Sequence, residues 1–320
     1  MKTALVFPGQ GSQTVGMGKK LADAFPIARE IFERVDAALS QKLSKVMFDG
    51  PEFELTLTAN AQPALMASSI AALKVLEKES GLNVREDAAF VAGHSLGEYS
   101  ALCAAGSLTL EDTAKLLRVR GEAMQKAVPV GEGAMAAILG LEFGVVTKIA
   151  TQSASDLYLA GAVCQAANDN GGGQVVISGT KEAVGRAMEL AKLAGAKRAL
   201  PLPVSAPFHC ALMHPAALSM EAALKHVAIR RPRPPLVANV MASAVDDPEA
   251  IRSGLVAQVT GTVRWRESVA YMRAEGVTRF VEVGAGKVLA GLIKRIAGGA
   301  TVVSVGTPAD VAAFKVATKH

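Results

Sequence analysis

Five consecutive residues, Gly93-His94-Ser95-Leu96-Gly97, fit the pattern Gly-x-Ser-x-Gly. Between a strand and a helix, that pattern lifts a serine hydroxyl out of a sheet on a sharp turn and makes it a nucleophile. The glycines admit the tight turn, and the N–H of Leu96, at the start of the helix, is placed to donate to an oxyanion. The same residues also suit a plain strand-to-helix turn with Ser95 as a helix cap. The apolar run at 88–92 and the helical pattern at 96–105 favour the nucleophile.

A serine at neutral pH needs a base, and the chain holds five histidines. His320 ends the chain, His226 sits beside Lys225 in a helical stretch, and His94 leaves the turn on a different side from Ser95. His214 precedes Pro215, which biases it to an extended conformation. His209 remains, within Ser205-Ala206-Pro207-Phe208-His209-Cys210, on a connection that borders a cleft between domains. A partly buried structural histidine is the lesser alternative at that position. As a base of unperturbed pKa about 6.5, it would make activity rise through that region as pH increases. No Asp or Glu stands out as a third member, a departure from the serine, acid, histidine order of hydrolases.

A helix opening at Thr109-Leu110-Glu111-Asp112 carries the apolar stripe Leu110, Ala114, Leu117, Gly121 and Met124. Arg118 and Arg120 lie on opposite flanks of that stripe, each about 80° from its centre, so periodicity does not choose between them. Either one also reads as an arginine snorkelling from a half-buried helix.

The elements that must position these groups alternate from end to end, as in α/β proteins. Residues 3–7 read as a first strand ending in Pro8-Gly9, a helical stretch begins near Met17, 61–79 form a helix stopped by Gly81, and 88–92 are the strand before the serine. From Val130 to about Pro203 the rhythm changes: strand 134–139, helix 144–153, strands 157–163 and 174–178, helix 181–194 started by Thr180, and strand 198–202. Strand, helix, strand, strand, helix, strand is the ferredoxin-like order. The expected fold is therefore α/β, a hydrolase-like parallel-sheet large domain (1–129 and 204–320) with an inserted ferredoxin-like small domain (130–203). The large domain resumes with a helix over 210–227, a link rich in proline (Pro232, Pro234, Pro235) and a strand at 236–240. One more strand, 280–284, runs through a glycine-rich turn into the helix 288–296.

Composition removes several classes of function. Half of the 320 residues are hydrophobic and 20% are charged, the usage of an ordinary globular protein. No apolar run approaches the roughly 18 residues of a membrane span, and the apolar start at 4–7 is too short for a signal peptide. Three separated cysteines without CxxC spacing suggest neither a disulfide framework nor a zinc site, so reducing cytoplasm is the expected compartment. The net charge of +5 suits an acidic partner. It is spread along the chain, however, and with few aromatic residues it supports no nucleic-acid groove.

Six stretches recur together in one family: Phe7-Pro8-Gly9-Gln10-Gly11-Ser12-Gln13, Gly93-His94-Ser95-Leu96-Gly97-Glu98-Tyr99, Arg120-Gly121, residues 168–179 (NDNGGGQVVISG), Phe208-His209-Cys210-Ala211-Leu212-Met213, and Gln258. On them, and over nearly its whole length, the chain resembles the malonyl-CoA:acyl carrier protein transacylases of bacterial fatty-acid synthesis. The resemblance implies Ser95 as nucleophile and His209 as base, the N–H groups of Gln10 and Leu96 as oxyanion hole, and Arg120 as partner of the malonyl carboxylate. It places Gln258 beside the histidine, where a backbone carbonyl does the orienting work of the absent acid, and it assigns Asn170 and Phe208 to substrate binding. Phe208 is bulky, as in relatives selective for malonyl over branched units. The implied substrates are malonyl-CoA and acyl carrier protein, whose phosphopantetheine thiol receives the acyl group, with no metal and no resident cofactor. Gly171-Gly172, Gly261-Thr262 and Ala285 stand where the family commonly has Ser-Pro, Asn-Pro and Pro. Two rival readings are a serine esterase, against which the missing acid argues, and a module that only binds the carrier, against which the intact Ser95 and His209 argue.

Overall fold

The structure, a computed structural model, describes residues 1–157, 161–204 and 206–318; Ser205 and His320 lie outside that set. Ten strands follow one another among the described residues: β1 (Thr3–Phe7), β2 (Ala88–Gly93), β3 (Gly133–Leu139), β4 (Cys164–Asp169), β5 (Gln174–Thr180), β6 (Arg198–Pro201), β7 (Leu236–Val237), β8 (Ala244–Val245), β9 (Arg279–Val283) and β10 (Thr301–Val305). They form a six-stranded sheet in the order β10-β9-β1-β2-β7-β8 and a four-stranded sheet in the order β4-β5-β3-β6.

In the larger sheet every pairing is parallel except β7 with β8. All five residues of β1 are buried, the uninterrupted apolar run expected of a parallel strand covered on both faces. The chain moves from β1 to β2 and β7 on one side, then returns to place β9 and β10 on the other. It therefore reverses direction at β1, and the loops leaving the carboxyl ends of β1, β2, β7 and β9 open beside one another there, the usual position of a ligand site in such sheets.

The smaller sheet is antiparallel throughout, and its order, with the helices Phe143–Asp156 and Lys181–Leu193 interposed in the chain, is ferredoxin-like. One expected strand was misplaced. The helix Phe143–Asp156 runs three residues beyond its predicted end, Leu157 is its helical cap, and 158–160 lie outside the described residues. The strand falls instead at Cys164–Asp169, whose Ala-Ala-Asn centre has no strand pattern of its own. Pairing with β5 holds it there, with a register irregularity between Ala166 and Asn168. Thr180 starts its helix without a side-chain cap. The helix expected over 210–227 is a 3₁₀ turn, Ala211–Met213, followed by the α-helix His214–Leu224. His214 is helical at φ −53° rather than extended, because Pro215 falls in the first turn, where its missing N–H has no bond to make. His226 stands exposed just past that helix, and β7 is two residues long rather than five.

The helices Thr58–Ser80 and Leu110–Lys126 bring one predicted site residue inward. All five positions of the apolar stripe are buried, and Thr109 caps the second helix by accepting from the Asp112 N–H at 3.1 Å. A Cβ added at Gly121 would lie 2.6 Å from the Thr58 carbonyl oxygen and 2.7 Å from the Ala59 Cα, so the two backbones meet at this glycine. Gly121→Ala sets a gain of up to about 1 kcal/mol in helix propensity against forced separation of those backbones, and separation wins. Net destabilisation of about 1–3 kcal/mol is expected, read as a lower urea midpoint at unchanged slope. A midpoint equal to that of the parent protein would refute the close crossing.

Candidate active site

β2 ends at Gly93, and Ser95 then adopts φ +53°, a left-handed conformation that a serine takes only under constraint. Both motif glycines are steric requirements. A Cβ at Gly93 would sit 2.0 Å from the Gly97 carbonyl, and one at Gly97 would sit 2.2 Å from the Phe7 oxygen. Leu96 is the N-cap of the helix Gly97–Ala104.

Ser95 Oγ lies 2.7 Å from His209 Nε2. His209 is 4% exposed and also has a positive φ, +58°. Its Nδ1 is 2.8 Å from the carbonyl oxygen of Gln258. A carbonyl only accepts, so this contact assigns the proton to Nδ1 and leaves the Nε2 lone pair facing the serine hydroxyl. Ser95 and His209, the pair expected to act together, are in hydrogen-bond contact, and the group facing Nδ1 is a backbone carbonyl.

Arg120, 1% exposed, points to the same place. Its Nη1 donates to Gln62 Oε1 at 2.8 Å, and its Nη2 donates to Gln258 Oε1 at 2.8 Å and to Ser95 Oγ at 3.2 Å. Its Nε–H has no partner among the described residues. Arg118, on the other flank, donates to Asn60 Oδ1 and Gln41 Oε1, away from the serine. Both arginines reach the helix Thr58–Ser80, Arg118 at Asn60 and Arg120 at Gln62, but only Arg120 extends on to Ser95 and Gln258.

A second tier of buried polar groups, unassigned in the sequence reading, supports the first. The Asn239 side chain accepts from the Ser95 N–H at 2.8 Å and donates to the Gly93 carbonyl at 2.7 Å. Glu98 Oε2 accepts from the Asn239 N–H at 2.8 Å and from Gln258 Nε2 at 3.2 Å, and Gln258 Nε2 also reaches the Ser95 carbonyl at 3.0 Å. The available signals were a carboxylate directly after the motif and one asparagine inside the apolar run 236–240.

Burial governs the charges. It pushes Glu98 up to about 7, against the opposing pull of the Asn239 N–H, the Gln258 amide and the Arg120 charge. Burial, and then the Arg120 charge, depress His209 to about 3, which corrects the expectation of an ordinary imidazole.

A cavity of about 970 Å³ opens onto Ser95 and His209, with apolar walls that include Met124, Met135, Leu202, Phe208 and Leu289. Phe208 is 8% exposed, directly beside the base. Asn170 also lines the cavity, its Oδ1 2.8 Å from His94 Nε2, so His94 is engaged away from Ser95. Gln10 faces the cavity from the loop after β1. Neither its N–H nor that of Leu96 donates to another described residue. Among the described residues, no three His, Cys, Asp or Glu side chains gather as a metal site would require.

The acyl transferase domain family model matches residues 4–312. The malonyl CoA-acyl carrier protein transacylase of Bacillus subtilis strain 168 is 48% identical over 295 residues, 92% of this chain and 90% of that protein. The protein of the same name from Escherichia coli K12 is 46% identical over 310 residues, 97% of each. The crystal structure of acyl-carrier-protein S-malonyltransferase from Bartonella henselae superposes with TM-score 0.95 at 55% identity, covering 100% of both chains. A malonyl-transacylase solved in complex with a type II PKS acyl carrier protein superposes with TM-score 0.94 at 41% identity, covering 99% of this chain and 100% of that one. With the nucleophile turn, the histidine and the buried arginine in one cavity, and with likeness of this extent in sequence and fold, the chain belongs to the acyl transferases and, among them, to the malonyl-CoA–acyl carrier protein transacylases.

Proposed function

We propose that the chain moves a malonyl group from malonyl-CoA to the phosphopantetheine thiol of acyl carrier protein through an ester on Ser95, supplying extender units for fatty-acid synthesis in the cytoplasm. His209 Nε2 takes the hydroxyl proton as Oγ attacks the thioester carbon. The N–H groups of Gln10 and Leu96 hold the oxyanion. The carbon–sulfur bond breaks, and the imidazolium returns its proton to the departing sulfur. In the second half the carrier thiol gives its proton to His209 and attacks the ester carbon, and Ser95 Oγ leaves and is reprotonated. Gln258 keeps the imidazole in the required tautomer throughout. Asn170 and Phe208 line the acyl site, Phe208 narrowing it beside the base. Residues 130–203 act as an inserted domain that closes one side of the cavity with Met135 and Leu202.

The observation that carries this reading is Arg120. A guanidinium 1% exposed has neutral hydrogen-bond partners and an unpartnered Nε–H. A buried charge in that condition calls for an anion, and a terminal carboxylate on the acyl group is one that arrives in register with Ser95. Acetyl brings none.

Arg120→Ala should therefore lower kcat/KM for malonyl-CoA by roughly 30-fold to several thousand-fold, with little loss for acetyl-CoA, while Arg118→Ala leaves the preference intact. Arg120→Lys should recover only part, lacking the planar fork. The two alanine proteins assayed side by side decide the point. Loss of malonyl preference in the Arg118 variant, or in neither, would overturn it.

The pH profile follows from the depressed histidine. A base neutral down to about pH 3 stays competent where an ordinary imidazole would be protonated. From about pH 6 to 4.5, kcat/KM for malonyl-CoA should fall less than about threefold, whereas an ordinary imidazole would cost nearly tenfold per unit. Arg120→Ala removes one of the charges that depress His209, so its acid limb should move to higher pH. A unit slope below about pH 6.5 in the parent protein would contradict this environment.

A further inference from the structure

Two buried polar side chains touch the catalytic frame and take no part in the reaction as derived. Asn239 and Glu98 are 0% and 1% exposed, and neither lines the cavity. We infer that they are positioning residues, an amide and a carboxylate that hold the Ser95 turn in one rigid frame with His209 and Arg120. The inference rests on the reading of Ser95 as nucleophile and His209 as base.

The need for such a frame comes from the turn. A left-handed serine persists only where its surroundings over-determine it. The last rung of the β2–β7 ladder pairs Ala92 with Val237, so the strand partner ends just before the turn begins. Asn239 stands two residues beyond that rung. Its side chain takes up the Ser95 N–H and the Gly93 carbonyl, at 2.8 and 2.7 Å, as a further rung made by an amide rather than by backbone. One consequence is specific: the Ser95 N–H is spent on Oδ1 and is withdrawn from the oxyanion, which leaves those of Leu96 and Gln10.

Glu98 joins this rung to the rest of the site. Its Oε2 receives the backbone N–H of Asn239 and the side-chain amide of Gln258. Gln258 in turn orients His209 through its carbonyl and receives Arg120 through Oε1. One carboxylate oxygen is thus shared by the segment that holds the nucleophile and the residue that holds both the base and the arginine. Removing it leaves the Asn239 N–H without its acceptor and leaves Gln258 tied to the turn only through its amide contacts with the Ser95 carbonyl and Asn239 Oδ1, at 3.0 and 3.3 Å.

The test compares Asn239→Ala, Glu98→Ala, Glu98→Gln and the double alanine variant, with the extent of Ser95 acylation at completion used to count competent chains. Asn239→Ala should lower kcat for acylation by about 10- to 100-fold, the scale of a misplacement near 1 Å, with KM for malonyl-CoA within about threefold. Malonyl and acetyl transfer should fall in the same proportion, unlike the Arg120 variant, because the frame is common to both. Glu98→Ala should behave alike, and Glu98→Gln should recover most of the loss, since an amide oxygen still accepts both bonds. The double variant should lose little more than the worse single one, as residues in one network do. Parent kcat in Asn239→Ala, independent multiplicative losses, or a Glu98→Gln protein as impaired as Glu98→Ala would each overturn the inference. If an alanine variant does not fold, Asn239→Asp replaces it: it keeps the acceptor for Ser95 but cannot donate to Gly93, and unchanged kcat there counts against the proposal. Absence of a Ser95 ester in the parent protein would sink the reading beneath it instead.

Discussion

The hydrogen bond from His209 Nδ1 to the Gln258 carbonyl fixes the whole site. A carboxylate in that place would accept the same proton and also bring a charge that stabilises the imidazolium. The carbonyl brings direction without charge, so His209, itself 4% exposed, is held neutral and in one tautomer at the wall of the cavity. Its basicity is then set by burial and by Arg120, and both push it down. A weak base suffices where a thiol is the leaving group, because little driving force is required to expel one. It also serves the return step, in which a thiol hands over its proton more readily than water would.

In the proposed function, Arg120 turns the same burial into selectivity. Its hydrogen bonds go to Gln62, Gln258 and Ser95, all neutral, and Glu98 is bound by Asn239 and Gln258 instead. On the proposed reading, the enzyme carries a buried positive charge whose best partner arrives with the substrate. Gln258 is the common member: backbone to the base, one end of its amide to the arginine, the other to Glu98 and to the Ser95 carbonyl. The groups proposed as nucleophile, base and anion receptor come from separate parts of the chain and are tied together by side chains and one carbonyl.

What could be read from the sequence divides along physical lines. The nucleophile turn was legible because its glycines answer to local sterics, at Gly93 and Gly97, within five residues. His209 could be reached by elimination, and the parallel strands β1 and β2 by their apolar runs, whereas the parallel edge strand β10 was not read. Arg120 could not be separated from Arg118, since both flank one stripe and only contacts with the distant Ser95 and Gln258 distinguish them. β4 was missed because Cys-Gln-Ala-Ala-Asn-Asp is a strand only by virtue of its neighbour. Asn239 and Glu98 were passed over, as their partners lie 19 to 160 residues away. The depressed His209 was misjudged for the same reason: desolvation belongs to the assembled core and to no segment of it.

The central claim, an acyl ester on Ser95 formed by His209 and discharged to a thiol, is met most directly by mass spectrometry of the intact and digested protein. After mixing with malonyl-CoA, one malonyl group per chain should appear, mapped to Ser95 and absent from Ser95→Ala. Adding acyl carrier protein bearing its phosphopantetheine thiol should discharge it onto the carrier far faster than buffer alone releases malonate. An adduct at another residue, no adduct, or discharge into water at the same rate with and without the carrier would contradict the account.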